Sequence, residues 1–165
     1  MKGLQTVGAF FGRLFMSLIF IMSAVNKIID WQNTERGFVS LLCDWHSYVS
    51  FSMPLQKFFA VLLPWVPFIL IIATVIELIG GILLLLGYKV RLGVFLLLIF
   101  FIPTTILFHQ FWFLEGLRRD MQFVIFFKNI AIMGGLLYVL AFGAKKSNSS
   151  EFPSNTSIDN PHLGG

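Results

Sequence analysis

The sequence predicts an all-α fold: an integral membrane four-helix bundle with an amphipathic interfacial loop between helices one and two. Three observations carry that expectation. Of the 165 residues, 57% are hydrophobic and 12% are charged, about half the charged share of a soluble domain. An apolar run from about Trp65 to Tyr88 exceeds the roughly 20 residues that cross a hydrocarbon core, and three further apolar runs accompany it. Inside that run stands Glu77, with Gly80 and Gly81 three and four residues on, so the carboxylate and the small residues share one helical face. An ionisable group at that depth needs a partner or a cavity, and small residues let a neighbouring backbone approach. Both features therefore direct this face into a bundle.

The first span runs from Val7 to about Ile28. It is longer than a signal-peptide core, is interrupted by Arg13 and lacks a small-x-small cleavage site, so it reads as a retained helix. Ala9, Arg13, Ser17, Ala24 and Lys27 recur at helical spacing and gather on one small or polar face. Between Ile29 and Pro64 the chain is mixed. Phe38, Leu41, Leu42 and Trp45 follow the i, i+3, i+4, i+7 pattern of an amphipathic helix lying at the interface, and Pro54 starts a second short helix carrying Phe58, Phe59 and Leu62. The bland reading of this loop is a cap over the bundle.

Pro64 and Pro67 break or kink the start of the second span, which ends at Gly87 before the tight basic turn Tyr88-Lys89-Val90-Arg91. The third span extends from about Leu92 to Phe108, with a kink expected at Pro103. His109, Gln110, Phe111 and Trp112 close it, and a polar loop with Glu115, Arg118, Arg119 and Asp120 follows. The fourth span covers about Gln122 to Phe142 and carries Lys128, Asn129, Gly134 and Gly135. Residues 1–144 thus form one domain, and the Ser/Asn-rich stretch 145–165 reads as a disordered polar tail. Four spans put both termini on one side. Lys2, Lys89, Arg91, Lys145 and Lys146 make that side cytoplasmic by the positive-inside rule.

Composition also excludes classes of function. The +4 formal charge comes from scattered residues and calls for no nucleic-acid partner. Cys43 is the only cysteine, which removes an internal disulfide and any two-thiol relay. His46, His109 and His162 offer no matched pair for a haem. No H-x-x-H, carboxylate pair or cysteine cluster suggests a metal, and serine-nucleophile and phosphate-loop patterns are absent.

What remains is a set of ionisable groups inside the spans. At 1.5 Å per residue, Lys128, Glu77 and Arg13 lie roughly 9, 15 and 21 Å below the outer boundary, so Glu77 is expected between two cations. One reading is a purely structural ion pair holding spans one, two and four together. The other is a polar pocket opening outward through Asn26, Lys27, His109 and Asn129. His109 with Phe111 and Trp112 is most simply an aromatic belt. The same group would also suit the head of a quinone.

Gly12-Arg13-Leu14, Lys27, Glu77 with Gly80-Gly81 and Gly87, Arg91, His109 with Phe111-Trp112, and Lys128-Asn129 before Gly134-Gly135 together resemble the DoxX family of small bacterial inner-membrane proteins, over roughly Gly8 to Gly143. The resemblance implies a four-helix protein of the bacterial plasma membrane. Some relatives are associated with quinone-linked oxidation of sulfur compounds, and others with membrane oxidoreductase complexes that handle oxidative stress. Carried over by position, Arg13, Lys27, Glu77, His109, Lys128 and Asn129 are the candidates for a shared polar site. Gly80, Gly81, Gly134 and Gly135 are the candidates for helix packing. The role expected is a quinone-interacting or scaffolding subunit of a membrane redox system, with no intrinsic cofactor, the lipid bilayer as surroundings and soluble or membrane oxidoreductase subunits as partners. The alternatives are a small-solute or ion transporter using the Glu77 pocket, and a membrane anchor that recruits soluble enzymes.

Overall fold

A computed structural model of the chain describes residues 2–143; the tail expected to be disordered lies outside the described residues. Six α-helices follow one another: α1 (Lys2–Ile29), α2 (Trp31–Tyr48), α3 (Met53–Leu62), α4 (Val66–Leu86), α5 (Val90–Phe108) and α6 (Gly116–Phe142). Short 3-10 turns at Leu63–Trp65 and Phe111–Phe113 join α3 to α4 and lead from α5 towards α6. Among the described residues four stretches are long and apolar enough to cross a membrane: Gly3–Ile29, Met53–Leu86, Val90–Phe113 and Gly116–Phe142. The protein is an all-α, multi-pass integral membrane protein. Its outward faces carry Phe10, Phe15, Ile72, Phe95, Phe127 and Leu137, all exposed, as suits a surface bathed in acyl chains.

Helix α4 is the centre of the bundle, packed between α1 and α5, and α6 packs chiefly on α5. Phe20 of α1, Leu84 of α4, Val94, Leu97 and Phe101 of α5, and Leu136 of α6 form the core cluster. Within it Phe20 meets Phe101 edge to face, with ring centres 5.2 Å apart. Helices α4 and α5 cross closely. A Cβ added at Gly80 would lie 2.7 Å from Leu97 Cγ and 3.0 Å from the Gly93 carbonyl oxygen, so a side chain here would push the backbones apart. Gly81 faces the other way, against Ile21 of α1, and Gly135 faces Met16 of α1. Gly134 meets nothing within 4 Å. It points outward and takes no part in the packing expected of it.

The turn between α4 and α5 depends on Gly87, which ends α4 in the left-handed region at φ 68° where a Cβ is penalised. The Gly87 N–H donates to the Leu84 carbonyl at 3.2 Å. At the opposite end of the bundle, α2 and α3 fold into a cap. Phe38, Leu41 and Leu42 are buried, as their spacing predicts, together with Val49, Phe59 and Val66. Trp45 packs beside them and donates from its indole Nε1 to the Leu107 carbonyl at 2.9 Å, satisfying one of the carbonyls left open in the last turn of α5. The segment between α1 and α4 is thus a helical hairpin fastened to α4 and α5.

Helix α5 continues through Pro103. Helix α6 begins at Gly116, six residues before the expected start, and its first turns include Arg118, Arg119 and Asp120. Those charges do not oppose a helix; they only limit how much of it lipid can surround.

Candidate functional site

Helices α1 and α4 run antiparallel, and their register is set at two points. Near one end the Arg13 guanidinium lies against Gly87, where an added Cβ would meet Nη1 at 2.6 Å. Midway, Ile21 lies against Gly81. Continuing up α1, the fourteen residues from Arg13 to Lys27 span about 21 Å, and the ten from Gly87 back to Glu77 span about 15 Å. The difference of about 6 Å is within the reach of a lysine stem. Lys27 therefore meets Glu77.

The contact is a single ion pair. Lys27 Nζ donates to Glu77 Oε2 at 2.5 Å and to Ser23 Oγ, one turn earlier on α1, at 2.7 Å. The Glu77 side chain is 2% exposed and that of Lys27 20%. The carboxylate is thus enclosed while the ammonium stands at its outlet. The Phe100 ring of α5 lies 5.2 Å from Nζ, within cation–π range. Three residues before Glu77, Thr74 is buried and donates to the Leu70 carbonyl at 2.8 Å, so its hydroxyl proton is already used. Above Lys27 a cleft of about 580 Å³ opens, lined by Ser23, Asn26, Lys27, Ile29, Asp30 and Thr34. A charge pair in the middle of a membrane bundle is thereby joined to the surface through polar side chains.

The other expected residues lie elsewhere. Arg13 is held at the α4–α5 turn, where Nε donates to the Ala9 carbonyl at 3.2 Å; there its charge faces the C-terminal end of α4, where the helix dipole favours a cation. Lys128 is exposed and has no ion-pair partner among the described residues. The arrangement of Glu77 between Arg13 and Lys128 is therefore replaced by Glu77 with Lys27. Residues one apart on a helix point about 100° apart, and on α6 it is Asn129 that turns inward. It is buried and donates from Nδ2 to Thr105 Oγ1 of α5 at 3.3 Å. His109 Nδ1 lies 2.7 Å from Gln122 Oε1, a second polar tie between α5 and the start of α6. The six candidates thus form one ion pair, two α5–α6 ties, one turn contact and one outward lysine, with no single pocket holding them all.

Sequence reasoning missed Ser23, Phe100, Thr105 and Gln122. Ser23 was within reach, because a hydroxyl four residues before a membrane-buried lysine shares its face. The others needed knowledge of which helices touch.

A family model described as DoxX matches residues 8–110, which takes in α1 to α5, both partners of the ion pair and His109, and ends before α6. Comparison with curated proteins and with solved structures finds no match.

Proposed function

The chain belongs to the DoxX family, and on that premise we propose that it is a quinone-interacting subunit of a redox system in the bacterial plasma membrane, with both termini in the cytoplasm and with electrons delivered by a partner protein. The observation that carries this reading is the reach of Lys27. Its ammonium has three N–H groups. One goes to Glu77 and one to Ser23, which leaves one for a ligand oxygen in the cleft.

A quinone head offers carbonyl oxygens, and the donors present fit them: the Lys27 ammonium and the exposed Asn26 amide. Bound there, a quinone supplies two-electron, two-proton chemistry. The protein's share is to orient the head by these donors, to hold positive charge beside the oxygen where negative charge gathers, and to keep a carboxylate one hydrogen bond behind the ammonium as a proton acceptor.

The test is a titration of the purified protein with ubiquinone and menaquinone analogues, followed by quenching of tryptophan fluorescence. Saturable quenching by one of them is expected. Lys27→Met, which removes the charged donor, should weaken it about tenfold, the worth of one charge-assisted contact, while helicity stays unchanged. Lack of saturable quenching by either quinone counts against the proposal.

The transporter reading draws on one specific feature, the polar outlet from Lys27 to the surface. Solute or ion uptake into proteoliposomes that is lost in Glu77→Gln, without any response to quinones, would establish it instead.

A further inference from the structure

Helix α6 rests on α5 along one side, where Asn129 and Leu136 are buried, and meets α1 at Gly135, against Met16. Its other side is bare. Val124, Lys128, Ala131, Gly134, Tyr138 and Phe142 are all exposed. Val124, Lys128, Ala131, Tyr138 and Phe142 follow one another at spacings of four, three, seven and four, the steps that keep side chains on one seam between packed helices. Gly134 lies three residues past Ala131, on the same side.

Most of this face needs nothing but lipid; two of its residues are ill suited to it. Arg118, Arg119 and Asp120 stand in the first turns of α6, at the level of head groups. Lys128 comes eight residues after Asp120, about 12 Å deeper, and its stem of about 6 Å leaves the ammonium short of that level. A cation inside the hydrocarbon is expensive unless it is paired, yet among the described residues Lys128 has no ion-pair or hydrogen-bond partner. Lys27 shows how this bundle treats such a group, since it meets the carboxylate of Glu77. Gly134 is the second misfit. It weakens the middle of a helix and receives no packing in return, because an added Cβ there would meet nothing within 4 Å.

We propose that this face of α6 docks one membrane-spanning helix of another protein, which sets a glutamate or aspartate against Lys128 and lies close along Ala131 and Gly134. Small residues admit a neighbouring backbone, and a carboxylate completes the lysine. Charge decides the occupant. A second copy, related by a two-fold axis along the membrane normal, would set Lys128 beside Lys128. Its Asp120 would stay two turns away, and its Glu77 is enclosed and already taken by Lys27. Lipid offers no counter-charge at this depth. The face shares no residue with the cleft over Lys27, so this docking stands or falls apart from the quinone reading.

Förster transfer in phosphatidylcholine vesicles tests it, with the full chain donor-labelled at Cys43. That cysteine is exposed and is the only one in the chain; its neighbour Asp44 shares a cleft with Arg118 and Gln122 of α6. The probes are three acceptor-labelled, bilayer-spanning Leu/Ala peptides that carry glutamate, glutamine or leucine at the depth of Lys128. Saturable transfer to the glutamate peptide is expected at about one-tenth of the density that the glutamine peptide needs, the worth of one charge-assisted hydrogen bond. Lys128→Met should erase that difference, and Lys128→Arg should keep it. Gly134→Leu should weaken all three peptides alike, because it blocks close approach. Equal binding of the glutamate and glutamine peptides, or a preference that survives Lys128→Met, overturns the proposal. Absence of saturable transfer to any peptide overturns it in favour of lipid as the sole cover. Transfer between donor- and acceptor-labelled copies of the chain, abolished by Gly134→Leu but not displaced by the glutamate peptide, overturns it in favour of a second copy.

Discussion

Removing the two members of the buried pair should not cost the same, and the difference is set by their exposure. Lys27→Met keeps most of the carbon stem and deletes the ammonium. Glu77, 2% exposed, is then left enclosed with Lys27 gone, the situation in which breaking a buried pair costs about 3–5 kcal/mol. Glu77→Gln is milder. Its amide oxygen still accepts from Lys27, and Lys27, 20% exposed, turns towards the cleft, so the loss should be about 1–2 kcal/mol. The double variant Lys27→Met with Glu77→Gln removes both charges and should recover much of the damage, giving a coupling energy of about 2–4 kcal/mol. Equilibrium unfolding in mixed micelles, followed by circular dichroism, reads all four corners of the cycle. A coupling below about 0.5 kcal/mol, the scatter of independent sites, would refute the reasoning.

Other substitutions separate packing from surface in the same assay. Gly80→Val places carbon against Leu97 and the Gly93 carbonyl and should cost about 1–3 kcal/mol, whereas Gly134→Ala meets nothing and should gain up to about 1 kcal/mol from helix propensity. Trp45→Phe keeps a ring in the cap but orphans the Leu107 carbonyl, a loss of about 1–3 kcal/mol. Lys128→Met, at an exposed position, should leave both stability and quinone quenching within about 0.5 kcal/mol of the parent; a large drop in either would return Lys128 to the site.

The spans were legible because their signals are local. An apolar run of sufficient length predicts a helix wherever it packs, and the Phe38, Leu41, Leu42 and Trp45 spacing identified the buried side of α2 without reference to anything else. Glu77 could be assigned to the bundle interior because Gly80 and Gly81 mark that side of α4. Its partner could not be assigned. Depths counted from a common boundary make Arg13 and Lys128 plausible neighbours, yet which cation arrives depends on the register of α1 against α4. That register is fixed by close packing at Gly81 and Gly87, and packing is invisible in a single sequence. Lys128 and Asn129 illustrate the same limit on a smaller scale. Both are polar and adjacent, and only the direction of α5 decides that Asn129 faces Thr105 while Lys128 faces out. Gly93 went unremarked because nothing near it in the chain distinguishes it; its role appears when Gly80 crosses it.

Everything proposed for the site presupposes that Lys27, and no other cation, holds the carboxylate of Glu77. Solid-state NMR on protein reconstituted in bilayers, with 15N in lysine side chains and 13C at glutamate carboxyls, measures that directly. One strong 15N–13C dipolar coupling is expected, matching a hydrogen-bonded pair with nitrogen and oxygen under about 3 Å apart, and it should vanish in Lys27→Met while surviving in Lys128→Met. Survival of the coupling in Lys27→Met, or a separation beyond about 6 Å in the parent protein, would contradict it.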